Sequence, residues 1–443
     1  MTPNVSERAE AYPRACRSAS LAGALGAKAE ALASRKVSMK SWPVAVLTTV
    51  AVLSGGAAAA QTRPPDPRST ARVHAGPVYL TPSVALKEFG IDTNVFNQVE
   101  NPKSDFTFTL TPHVDVWVPF AQRARVRVST GADLVYYQKY ETERSVNPQI
   151  GVRGEVLFNR IVLFAEPTYL KTRVRPSFEI DARSEREERG VAFGADVQAL
   201  PRLSIALTAS TLETDFADQV FLGTSLQEAL NRTSRSVGTV VRWAISPLTT
   251  FALRADVLED RFPYSPVRNN NSLRIMPGVE LKPRALISGS AYVGIRQSRT
   301  LDDAMPEFSG VVASARLRYI LKGATRIEFK SERDINYSID LLQPYYVSTG
   351  FGINVERHLA GRFDVMVGSD RYRNDYRHLT PLDATNFLAR SDTIRNYSAS
   401  LGYRLGKTGR LGFGGTYWQR DSNVLQIHTY DALRIGTSLT YGF

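Results

Sequence analysis

Phe106-Thr107-Phe108-Thr109-Leu110-Thr111-Pro112-His113-Val114-Asp115-Val116-Trp117-Val118 is the stretch that decides the fold. Apolar side chains stand at Phe106, Phe108, Leu110, Val114, Val116 and Val118, while Thr107, Thr109, Thr111, His113, Asp115 and Trp117 fall between them. A period of two puts the sets on opposite sides of an extended chain, so the stretch is a strand with one apolar face and one largely polar face. After the turn Pro119 to Arg123, the residues Ala124, Val126, Val128, Ala132, Leu134 and Tyr136 alternate with Arg125, Arg127, Ser129, Gly131 and Asp133.

The same alternation recurs through Ile150 to Phe158, Ile161 to Tyr169, Val191 to Ala199, Leu203 to Thr211, Val237 to Ile245, Phe251 to Val257, Leu273 to Leu281 and Ile287 to Ile295. It continues through Val311 to Tyr319, Ile327 to Ser331, Tyr345 to Val355, Phe363 to Val367, Tyr397 to Leu405, Leu411 to Tyr417 and Leu433 to Phe443. With a less regular first strand over Val84 to Phe96, the pattern gives about eighteen strands, an even number as in single-chain bacterial barrels. Tight joints such as Asn159-Arg160, Pro201-Arg202, Lys322-Gly323 and Ala360-Gly361 alternate with long polar stretches such as Val174 to Arg189, Phe216 to Ser234 and Asn374 to Thr393.

A soluble β-sandwich or propeller also alternates. The strand lengths, the asymmetry of the connections and the aromatics at strand ends favour a membrane wall. Near the short turns these are Phe158, Trp243, Phe251, Tyr319, Phe363, Tyr403, Tyr441 and Phe443; near the long loops they are Tyr136, Tyr140, Tyr169, Tyr345 and Tyr417. The expected fold is all-β: a transmembrane antiparallel up-and-down barrel of outer-membrane type, with both termini periplasmic.

The flanks agree. Met39-Lys40, the apolar run Trp42 to Leu53 and Ala58-Ala59-Ala60 read as a signal peptide cut after Ala60, with residues 1–38 as an upstream extension. Residues 61–82 read as a flexible periplasmic lead-in and 83–443 as the barrel. The single Cys16 lies in the segment to be removed, so the mature chain suits an oxidising compartment. After residue 60 no apolar run reaches the roughly 18 residues of a spanning helix. The formal charge of +12 is scattered rather than gathered on one face, which argues against nucleic acid as a partner.

The ending Ile435, Thr437, Leu439, Tyr441, Phe443 resembles the C-terminal signature of outer-membrane proteins. That resemblance implies recognition by the barrel-assembly machinery through Tyr441 and Phe443. Gly90-Ile91-Asp92-Thr93-Asn94-Val95-Phe96, Lys103-Ser104-Asp105-Phe106, Leu226 to Arg232 and Pro247-Leu248-Thr249-Thr250 resemble the family called putative β-barrel porin 2. The resemblance implies an outer-membrane barrel often linked with exopolysaccharide or capsule production. It carries over no site residues.

If the apolar parity faces lipid, the other parity lines a lumen. Its basic residues are Arg125, Arg127, Arg242, Arg254, Lys282, Arg316, Arg318, Arg326, Arg404 and Arg410, interleaved with Glu155, Asp256, Glu280, Glu328, Glu356 and Asp364. Such a set either draws in anionic solute or acidic polysaccharide, or pairs across strands to stiffen the wall. Lumen-parity Tyr137, Tyr292, Tyr346, Tyr372 and Trp418 offer faces to sugar rings, or else simply pack beneath the loops. The arginines at 125, 127, 242, 254, 316, 318, 326 and 404, with Tyr292 and Trp418, are therefore the candidate solute-contacting residues.

Enzymatic readings are weak. His113, Asp115 and Ser129 share the lumen parity of neighbouring strands, but no nucleophile elbow surrounds Ser129. No mature Cys, paired His or Asp-rich loop suggests a metal, and no cofactor is expected. Asp334, Asp340, Asp383 and Asp392 read as loop carboxylates within reach of ions bound to lipopolysaccharide. A TonB-dependent transporter would need roughly 22 strands and a plug. The expected function is a channel for hydrophilic solutes, as an exopolysaccharide exporter or a general diffusion porin, against a non-conducting structural barrel. Outer-membrane lipid and lipopolysaccharide are the expected surroundings.

Overall fold

The computed structural model describes residues 71–120, 123–283, 285–359, 361–379, 389–406, 408–424 and 429–442. The signal segment, the first part of the lead-in, Asp383 and Phe443 lie outside the described residues.

An antiparallel wall of eighteen strands closes on itself. The strands are β1 Val78–Asp92, β2 Asp105–Phe120, β3 Ala124–Tyr137, β4 Ser145–Leu157, β5 Ile161–Val174, β6 Ser184–Leu200, β7 Leu203–Phe216, β8 Arg232–Ala244 and β9 Thr249–Arg261. They continue as β10 Asn270–Leu281, β11 Ile287–Thr300, β12 Phe308–Leu321, β13 Thr325–Tyr337, β14 Tyr345–His358, β15 Phe363–Arg377, β16 Ser391–Leu405, β17 Gly409–Ser422 and β18 Tyr430–Tyr441. Each pairs with its sequence neighbours, and β1 closes the circle on β18 from Val84↔Tyr441 to Asp92↔Arg434. A three-residue strand, Val73–Ala75, folds back on the start of β1.

Strands run from 12 residues in β10 to 17 in β6, longer than the sequence pattern gives. Crossing the hydrocarbon takes about 9–11 residues of a tilted strand. The remainder projects beyond the long-loop side, where water allows polar residues on both faces and the period-two signal fades. β1 starts six residues earlier than expected and ends four earlier, and its register slips between Leu86 and Phe89, where Glu88 takes φ 54°. The bulge brings Gly90 against β18 so closely that a Cβ there would lie 2.0 Å from the Ile435 carbonyl oxygen.

The two parities separate as expected. Phe193, Trp243, Val293, Phe351, Leu401 and Phe413 are each at least half exposed on the outside of the wall. Their band is far larger than the few hundred Å² of contiguous apolar surface that soluble proteins expose, so its counterpart is lipid. Ser129, Arg242, Glu280, Glu356 and Asp364 point the other way.

The facing of the wall gives a direct test. Leu401→Arg puts a charge in the lipid band and should cost about 2–4 kcal/mol if it lies near the midplane, whereas Ser129→Arg on the inner face should cost much less. Folding titrations into lipid vesicles, read by heat-modifiable migration, compare the two; equal costs would refute the facing.

Candidate functional site: the lumen and its extracellular mouth

On the short-turn side, inner-face carboxylates bridge neighbouring strands. Glu155 receives Arg125 from β3 and Arg153 from its own strand at 2.6 Å, and Arg153 reaches on to Glu166 of β5 at 2.7 Å. Glu356 of β14 takes Arg326 of β13 at 2.6 Å and Arg404 of β16 at 3.4 Å. Asp364 of β15, fully buried, takes Arg410 of β17 at 2.6 Å. Glu280 holds Arg242 at 3.1 Å and accepts a hydrogen bond from the Tyr292 hydroxyl. Charge-assisted bonds across strands fix the wall and leave these guanidiniums largely neutralised.

The candidate residues thus divide. Arg125, Arg127, Arg242, Arg318, Arg326 and Arg404 sit in ion pairs, with Arg127 on Asp115 at 2.9 Å and Arg318 on Glu328 at 2.7 Å. Arg254 lies over the Tyr292 ring at 5.0 Å, Trp418 lies beneath Arg434 at 5.1 Å, and Arg316 is exposed, its charge offset by Glu332. A cavity of about 440 Å³ opens against the inner face of β13–β18, bordered by Arg326, Glu328, Asn354, Glu356, Ser398 and Ser400.

Ser129, His113 and Asp115 do come together, with Ser129 Oγ 3.4 Å and Asp115 Oδ2 3.7 Å from His113. Both contacts fall on the same ring nitrogen, Nε2. A catalytic relay needs the carboxylate on the nitrogen opposite the nucleophile. Asp115 is instead committed to Arg127.

The mouth departs from a plain barrel. Pairing of β12 with β13 runs from Leu321↔Thr325 up to Ala313↔Arg333 and stops there. Above it the β13–β14 hairpin leans into the lumen. Tyr345 and Val347 carry the parity that faces lipid elsewhere, yet Val347 is 1% exposed and both pack on Ala252, Met276, Tyr292, Phe308 and Val312, which lie on β9–β12. Polar bonds hold the hairpin there. Asp334 takes Arg274 at 3.1 Å and Arg296 at 2.9 Å, and the Tyr337 hydroxyl donates to Asp260 at 2.5 Å and accepts from Asn270 at 2.7 Å. Asp334 and Asp392 are therefore strand residues bonded into the structure, not free loop carboxylates.

Residues 175–183, between β5 and β6, cross this mouth. Ile180 is buried with Phe216, Leu226, Leu230 and Ile339, of which Leu226 and Leu230 belong to the one-turn helix α1 Leu226–Leu230. Arg175 donates to the Val95 carbonyl at 2.7 Å, Arg183 pairs with Glu143 at 2.8 Å, and Asp181 receives Arg420 at 2.9 Å. Glu179, 2% exposed, accepts from Ser338 Oγ at 2.7 Å, from the Ile339 N–H at 3.1 Å and from Arg390 at 3.4 Å. Arg390 also bonds Asp392 at 3.0 Å. The crossing segment is tied to loops or strand ends all round the rim. In sequence the Val174 to Arg189 stretch is a long polar connection, and Phe178 and Ile180, on either side of Glu179, are the large apolar side chains that signal burial within it.

Burial holds the Glu179 carboxyl above the usual glutamate range, against the pull of Ser338 and Arg390, and pushes Arg268, under α1, down to about 10. A group whose pKa is raised on docking binds its proton more tightly when docked. Docking of residues 175–183 therefore strengthens as pH falls through the raised value, and weakens as pH rises from the ordinary glutamate value of about 4.3 through it. Single-channel recordings should show more frequent closure on acidification into that window, and Glu179→Gln should remove the dependence. Unchanged pH behaviour in that variant would dismiss Glu179 as the titrating group.

Several solved outer-membrane structures are similar to this chain. OccAB3 of Acinetobacter baumannii is 11% identical, with 82% of this chain and 98% of that one covered at a TM-score of 0.47. A BenF-like porin of Pseudomonas fluorescens Pf-5 is 10% identical, with 82% and 98% covered at 0.47. OpdK of Pseudomonas aeruginosa, solved with vanillate, is 11% identical, with 83% and 99% covered at 0.46. No curated protein matches the sequence. The family model described as "Putative beta-barrel porin 2" matches residues 66–443, the whole barrel and most of its lead-in, and the chain belongs to that family of outer-membrane β-barrels.

Proposed function

We propose that this porin-type barrel is a passive channel for small hydrophilic solutes whose bore is set at the extracellular mouth. The observation that carries the reading is the contrast between two levels of the lumen. The short-turn half holds a cavity of about 440 Å³, many times the volume of a water molecule, with charges of both signs. The mouth is narrowed by the β13–β14 hairpin and residues 175–183. Export of an exopolysaccharide is a second reading, favoured by Phe178, half exposed on the crossing segment and 5.5 Å from the Tyr372 ring, a surface on which a sugar can stack.

Proteoliposome swelling separates the readings. Rates that fall steeply from monosaccharide to trisaccharide support the small-solute channel; equal entry of long oligosaccharides favours export, and no swelling by any sugar overturns both.

Selectivity follows from which charges remain unpaired. Arg254, Lys282 and Lys330 have no carboxylate partner among the described residues, against Asp196 and Asp370 without a cationic one, while Arg316 is balanced by Glu332. The small positive surplus should give a modest chloride preference at low salt, fading toward roughly 1 M, where the Debye length is about 3 Å. Arg254→Gln with Lys330→Gln should abolish it in planar bilayers. Arg125→Gln with Arg127→Gln should instead lower folding stability, because Glu155 and Asp115 lose partners. A preference that survives the first pair and disappears with the second would reverse this assignment.

A further inference from the structure

The upper outer face of β14–β17 carries basic side chains that the channel does not use. Two successive cross-strand rows run Phe351, Arg371, Arg395, Gln419 and, one step further from the short turns, Thr349, Arg373, Thr393, Asp421. Both share the parity of Ile353, Val367, Tyr397 and Leu401, which are exposed to lipid. Arg371 and Arg395 thus stand directly opposite each other on adjacent strands and point out of the barrel. Like charges so placed are unfavourable unless something anionic joins them.

Local acids relieve only part of this. Arg371 is exposed and has no side-chain partner among the described residues. Arg373 is 59% exposed and bonds Asp375 of its own strand at 2.8 Å, while Arg395 bonds Asp421. Outward basic residues on β5–β8 instead stand directly across from acids: Lys171 from Glu187, Arg173 from Glu185, Arg189 from Glu213 and Arg235 from Glu259.

Height in the membrane points to the ligand. From Phe363, in the girdle beside the short turns, Arg371 is eight residues up β15. At about 3.3 Å per residue and a tilt near 40°, that is roughly 20 Å along the membrane normal, close to the top of an apolar band about 25 Å tall. The row just below holds Tyr397 and Tyr417, ring-bearing residues suited to the headgroup boundary. From just inside the upper edge of the band the long arginine side chains reach upward to the level of an outer-leaflet lipid's phosphates, above apolar wall that its acyl chains can cover.

We propose that Arg371, Arg395 and Arg373 form a binding site for the phosphates of a phosphorylated diglucosamine lipid of the lipid A type. A phosphate set between Arg371 and Arg395 can take paired N–H bonds from each planar guanidinium and remove their mutual repulsion. Asp421 keeps Arg395 oriented. Solutes inside the lumen cannot reach these side chains, because they stand on the opposite face of the sheet.

Native mass spectrometry of the detergent-purified barrel tests the site with lipid A and with lipid A stripped of both phosphates. Wild type should retain lipid A and bind the phosphate-free lipid at least about tenfold more weakly, a difference of about 1.4 kcal/mol. Arg371→Gln with Arg395→Gln should lose at least about that much affinity while keeping heat-modifiable migration, and Arg299→Gln, a lone outward arginine on β11, should bind as wild type does. Inorganic phosphate should fail to displace the lipid, which separates a lipid site from a free-phosphate site. Equal binding of the two lipids by wild type, or undiminished binding by the double variant, overturns the proposal. Should the double variant not fold, the wild-type comparison of the two lipids and Arg373→Gln alone decide it.

Discussion

An unpaired peptide group in hydrocarbon costs several kcal/mol, so a sheet that crosses a membrane has to close. The pairing of β1 with β18, from Val84↔Tyr441 to Asp92↔Arg434, meets that demand and fixes where each terminus of the wall lies. Everything else about the barrel is arranged around it. Closure puts alternate side chains in lipid and in the lumen, which is why Leu401 and Ser400, neighbours in sequence, live in different solvents. It also explains the bulge at Glu88: one slipped step lets the first strand meet the last in register with both faces still correctly directed.

The inner face then needs a second device, because a wide barrel has no core to fill. Carboxylates placed between arginines of different strands supply it. Asp364 joins β15 to β17, and Glu356 joins β13 to β16, so the bonds span beyond adjacent strands. A paired lattice of this kind stiffens the wall and, by the same bonds, hides charge from solute. The bonds that stabilise the wall therefore also leave few inner-face cations, such as Arg254 and Lys330, without a carboxylate partner among the described residues.

Most of the wall was legible in the sequence because lipid enforces a strict rule on every second residue. The number of strands, their facing and the alternation of short and long connections all follow from that rule. The mouth follows none. Ile335, Tyr337, Tyr345 and Val347 carry the same apolar alternation as a lipid-facing strand, so nothing local tells that they fold onto Met276 and Val312 inside. The contacts that decide it join residues far apart in the chain: Glu179 to Ser338, and Asp334 to Arg274. Arg125 and its neighbours were legible as lumen residues. Their pairing, against attraction of solute, depended on distances that alternation does not contain.

The break between β12 and β13 runs against the closure rule, but its height resolves the conflict. Val311, the first outward residue beyond the last paired step, is eight residues up β12 from Tyr319 in the short-turn girdle. At about 3.3 Å per residue and a tilt near 40°, this is roughly 20 Å along the normal, near the outer edge of the apolar band. There the backbone of β12 can be satisfied without a neighbouring strand, and Arg333 does so by donating to the Val311 carbonyl at 3.2 Å. Lower in the wall the same opening would expose peptide groups to acyl chains. The hairpin is thus free to leave the wall only where the membrane no longer forces it to stay, and that freedom is what turns a plain cylinder into a channel with a built constriction.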